Sequence, residues 1–98
     1  MACFAVSFQL DNTRDYAPFW QALTQLGAQR AMPDLFLVDL EGATADRMGA
    51  FLRQFIEEGD FLFVAQFQSR PYKHRCFKGT ESWLDERFPR DPGQQGGT

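Results

Sequence analysis

Two hydrophobic periods alternate along this chain, and their order constrains the fold more than any other feature. In residues 3–10, CFAVSFQL, Phe4, Val6, Phe8 and Leu10 share one face, and Cys3, Ala5, Ser7 and Gln9 the other. That is strand spacing. After Asp15 the spacing changes to three and four. Tyr16, Phe19, Leu23 and Leu26 form one stripe, with Trp20 and Ala22 beside it, as in a helix buried along one side. Asp15 suits an N-cap, Pro18 is tolerated in a first turn, and Gly27 is a stop. Residues 28–32, AQRAM, read as a weak strand, Pro33-Asp34 as a turn, and residues 35–40, LFLVDL, as a strong strand. Thr44 caps a second helix. Its Met48, Phe51, Leu52, Phe55 and Ile56 are the clearest helical pattern in the sequence, and the helix is expected to run to Gly59. Residues 61–67, FLFVAQF, form a last strand with Phe61, Phe63, Ala65 and Phe67 on one face.

Strand, helix, strand, strand, helix, strand is the split βαβ order of an α+β, ferredoxin-like βαββαβ domain. It predicts a four-stranded antiparallel sheet with two helices on one face. Right-handed crossovers set the strand order 4-1-3-2. Residues 68–79 read as a loop. Thr80 is read as the cap of a short C-terminal helix at the edge of the domain, carrying Trp83, Leu84 and Phe88 and stopped by Pro89. Residues 1–89 thus form a single domain, and the Gly/Gln-rich 90–98 are expected to be a disordered tail.

A chain of 98 residues buries roughly 65% of its unfolded surface when it folds as one domain. Eleven Phe and two Trp can fill that interior. The two cysteines, Cys3 and Cys76, and the single histidine, His74, are too few for a Cys/His zinc site within one chain. They read as free thiols in a reducing compartment. MACFAVSF does not have the layout of a secretory signal, and no run approaches the roughly 20 apolar residues of a membrane span. A cytoplasmic protein with no membrane partner is expected. The last strand is apolar on both faces, and the first strand's second face is uncharged. A solvated sheet face carries more charge than this, so a homodimer is expected.

The net charge is −3, which argues against attraction of nucleic acid over the whole surface. Residues 70–78, RPYKHRCFK, nevertheless carry Arg70, Lys73, Arg75 and Lys78 with no acid, leaving six basic and thirteen acidic residues elsewhere. The cations could follow an RNA or DNA backbone while Tyr72 and Phe77 stack on bases. The plainer reading is a solvated loop that keeps an edge strand from aggregating. Asp11, after the first strand, also reads two ways. It is a turn residue in an Asp-Asn pair, or a ligand for a divalent metal, which would want several oxygen donors. His74 has no evident catalytic partner and reads as an exposed loop residue. Glu57, Glu58 and Asp60 crowd the negative end of the second helix, an unfavourable place for acids.

Four stretches carry a resemblance: VSFQLDN with DYAPFWQAL after it, LGAQRAMPDLFLVDL, GDFLFVAQF, and ESWLDERF. In these the chain resembles the small CRISPR-associated endoribonuclease-like proteins, and is closer to their SinR-like relatives. The resemblance spans residues 4–88. It implies the ferredoxin-like fold and a homodimer. In the CRISPR-associated members an aspartate ends the first strand, facing its copy across the dimer to hold a metal for phosphodiester cleavage. Those members also serve in antiviral defence as adaptors that contact DNA. At the aspartate's place this chain has Gln9, and Asp11 is the carboxylate two residues on.

The expected function is therefore a small dimeric module, catalytically weak or inactive, that binds nucleic acid or a protein of a nucleic-acid-handling complex. Arg70, Tyr72, Lys73, Arg75 and Lys78 are its candidate contacts. No cofactor is expected. One alternative is an acidic protein-binding inhibitor, an antitoxin or a phage-encoded inhibitor of a defence complex. The other is a metal-dependent endoribonuclease with Asp11 as catalytic and metal-binding residue, and Mg2+ belongs to that reading alone.

Overall fold

The alternating apolar residues of the first strand lie at the centre of the molecule. In a computed structural model that describes residues 1–11 and 14–89, β1 (Cys3–Gln9) pairs antiparallel with β3 (Leu35–Asp39) on one side and β4 (Phe61–Phe67) on the other. β2 (Gln29–Met32) pairs with β3, so the sheet order is β2-β3-β1-β4. This is the four-stranded antiparallel sheet, in the strand order, that the sequence predicts. The predicted tail, 90–98, lies outside the described residues, as does Asn12.

α1 (Ala17–Gln25) and α2 (Ala45–Arg53) cover one face of the sheet. Phe4, Val6 and Phe8 of β1 meet Phe19, Ala22 and Leu23 of α1, Val38 of β3, and Met48 and Leu52 of α2. Phe4, Val6, Phe19, Leu23, Val38 and Leu52 have no accessible surface. Burying a side chain of this size stabilises the fold by about 1.5–3 kcal/mol. Phe8, Phe19, Trp20 and Phe36 add ring contacts at 5.1–6.0 Å, and the Arg30 guanidinium lies 5.5 Å from both Trp20 and Phe36.

The helix ends depart from the sequence reading by small, explicable amounts. Tyr16, not Asp15, is the N-cap of α1, but Asp15 Oδ1 still accepts the Ala17 N–H at 3.0 Å. Gly27, at φ +70°, follows the helix as expected. Thr44 caps α2 as predicted, accepting the Arg47 N–H at 3.1 Å. That helix ends at Arg53 rather than Gly59. From Gln54 to Ile56 the backbone tightens to bonds three residues back. Phe55 and Ile56 therefore still pack on the core, and the apolar period outlives the helix. Thr80 does not cap the third helix as expected: it is buried as the first helical residue, and Gly79 at φ +96°, where a residue without a side chain is favoured, is the N-cap.

That helix, α3 (Thr80–Arg87), lies against the second face of the sheet. Trp83 and Leu84 pack there with Cys3, Ala31 and Leu37, and Phe67 stacks on Phe88 at 5.5 Å. Cys3 and Cys76 are free thiols. No described helix is long and apolar enough to cross a membrane.

Candidate interaction surface

α3 shields only part of the second face. The strand registers place Met32, Leu35, Ser7 and Phe63 in one row across all four strands, with Gln9 opposite Phe61 at the end of the sheet. None of these six is charged. Phe61 and Phe63 are each 68% exposed. Two large rings on one strand, turned to water beside an uncharged row, form the kind of apolar patch that marks a contact surface.

The basic segment 70–78 crosses the same side of the sheet, over a groove of about 420 Å3 whose lining includes Ala5, Leu37, Ala65 and Leu84. Its cations divide into two sets. Arg70 is only 17% exposed and binds Glu81 Oε2 at 2.6 Å and Asp85 Oδ1 at 3.0 Å, and it donates to the Phe88 carbonyl oxygen at 2.7 Å. Lys73 pairs with Glu81 Oε1 at 2.5 Å. These two candidate nucleic-acid contacts are engaged in fastening the segment to α3. Arg75 and Lys78 stand at the exposed surface with His74, and Arg75 adopts φ +58°, rare for a residue with a side chain. Tyr72 is 92% exposed. Only Tyr72, Arg75 and Lys78 of the five sequence candidates are thus left facing solvent.

Asp11 lies past the end of β1, which stops at Gln9. The strand parity that would have put Asp11 beside Gln9 is not maintained. Its backbone N–H donates to the Tyr16 hydroxyl oxygen at 3.2 Å and to Asp60 Oδ1 at 3.1 Å. Tyr16 donates its hydroxyl hydrogen to Asp60 Oδ2 at 2.6 Å, and the Glu57 N–H donates to the same oxygen at 2.8 Å. The Tyr16 bond, helped by the two N–H donors, holds the Asp60 carboxyl below the usual carboxylate range. Burial, reinforced by that bond, pushes the Tyr16 phenol up. Asp60 thereby ties the β1–α1 connection to the start of β4. Of the three acids, Asp60 is thus offset by donors of its own, while Glu57 and Glu58 follow directly on the tightened turn that ends α2. Among the described residues, no group of three or more His, Cys, Asp and Glu side chains is placed to hold a metal ion.

Sequence reasoning missed Glu81 and Asp85. They are four apart on α3 and so share a face, which was the available signal, but nothing in the sequence showed that this face would meet Arg70. No protein-family model matches the chain, and no solved structure matches it. What the protein does has to be read from its own surfaces.

Proposed function

We propose that this protein is a non-catalytic interaction module that works as a homodimer within a nucleic-acid-handling complex, as the resemblance to the CRISPR-associated adaptors implies. One observation carries the reading: Phe61 and Phe63 project, 68% exposed, beside the uncharged row of Met32, Leu35, Ser7 and Gln9. Protein contact suits such a surface, whereas a phosphate backbone calls for cations. Engagement of Arg70 and Lys73 by α3 moves the balance from direct nucleic-acid binding toward a protein partner.

Affinity purification from a native host extract, with Phe61→Lys/Phe63→Lys as the comparison, tests this. Wild type should retain proteins that cut, join or copy nucleic acid, including after nuclease treatment of the extract, and the variant should lose them. Retention that vanishes on nuclease treatment would instead indicate direct nucleic-acid binding. Tyr72, 92% exposed beside His74 and Arg75, favours that second reading, with the ring as a stacking platform.

A further inference from the structure

The two edges of the sheet are finished differently. On β2 the register shifts between Arg30 and Met32, and Pro33 follows directly. The basic segment also lies along that edge: the Phe77 N–H donates to the Ala31 carbonyl at 2.9 Å, and the Gln29 side-chain amide to the Lys78 carbonyl at 3.1 Å. These are the devices by which proteins protect a strand edge. β4, at the other edge, has none of them. It runs seven residues, Phe61–Phe67, in unbroken register with β1, with no charge, proline or bulge. Among the described residues no backbone bond reaches its outer side.

We infer that the partner of this edge is β4 of a second copy, paired antiparallel about a twofold axis at Val64, so that two sheets join into one of eight strands. This rests on the homodimer reading above and specifies its interface. The strand is self-complementary in this register. Pairing all seven residues requires Val64 to face its own copy, which places each Phe63 opposite the partner's Ala65 and each Phe61 opposite the partner's Phe67. A large ring then meets a small side chain, two rings meet each other, and cross-strand aromatic pairs of this kind are favourable. No like charges meet along the strand. At its ends, Asp60 comes opposite the partner's Gln68, so no like charges meet there either. Closed twofold pairing also uses up the edge, so assembly stops at two.

Cysteine cross-linking in the full chain, on a Cys76→Ala background, tests the register. Cys3 is 1% exposed and out of reach of oxidation. A disulfide needs Cα atoms within about 6.8 Å. Val64→Cys places its two copies directly opposite each other. Gln66→Cys sets its copies four residues apart, about 14 Å along the strand. Mild copper-catalysed oxidation should convert most of Val64→Cys to covalent dimer and leave Gln66→Cys uncrosslinked, with light scattering on the reduced proteins showing both to be dimers. Dimers in which neither variant cross-links, both do, or only Gln66→Cys does would overturn the edge pairing and leave the homodimer reading standing. Monomeric reduced proteins, alongside a monomeric wild type, would overturn both.

Discussion

Replacing Arg70 by alanine removes the clasp between the basic segment and α3, and its cost can be worked from the geometry. The guanidinium is 17% exposed and reaches three acceptors at 2.6–3.0 Å. Hydrogen bonds to a charged group contribute about 1.5–3 kcal/mol each when well shielded. Here both carboxylates are about half exposed. When the cation is gone they return to water rather than being stranded, which holds the total near the value of a single such bond, about 2 kcal/mol. In a domain of this size that lowers Tm by about 8–16 °C. Arg75→Ala, at an exposed position with no fold-supporting contact of this kind, should change stability by less than about 0.5 kcal/mol. Urea unfolding followed by circular dichroism measures both variants. If Arg70→Ala proves no more destabilising than Arg75→Ala, then the segment is a loose solvated loop and the division of its cations into structural and exposed sets is wrong.

Stability should fall in acid partly through Asp60. Its folded-state carboxyl is held below the ordinary value of about 3.9, so its stabilisation is complete above that value and is lost as pH falls through the lower folded value. Urea midpoints between pH 7 and 2 should therefore drop less steeply in Asp60→Asn than in wild type; parallel curves would remove Asp60 from the account. Any binding of duplex DNA through the basic segment should be weak, because of its four cations only Arg75 and Lys78 are exposed and outside the ion pairs with α3, so the segment should contribute a log–log salt slope no steeper than about −1.8. A slope near twice that in a filter-binding titration would mean that Arg70 and Lys73 leave α3 to reach phosphates.

The element order, strand order and core of this protein were legible in its sequence because each buried face repeats with the period of its own backbone. Phe4, Val6 and Phe8 on β1 and Met48 and Leu52 on α2 announce their directions without knowledge of anything else. The end of α2 was not legible, since Phe55 and Ile56 keep the helical period through a tighter turn. The placement of α3 was also hidden. Trp83 and Leu84 mark its buried side, but no local pattern says which sheet face receives it. The candidate site suffered most, because its electrostatics are non-local. RPYKHRCFK looks like a free basic patch until Glu81 and Asp85 arrive from a neighbouring element. Asp60 likewise looked like a misplaced acid until Tyr16 and the N–H groups of Asp11 and Glu57 were found around it.

That Phe61 and Phe63 form a contact surface between copies is tested most directly by the mass of the protein in solution. Multi-angle light scattering at micromolar concentration should give twice the 11.3 kDa chain mass for wild type. For Phe61→Lys/Phe63→Lys it should give the single chain mass, with an unchanged circular dichroism spectrum, because both rings already face water in one copy. A wild-type protein that stays at 11.3 kDa across this range would contradict the account.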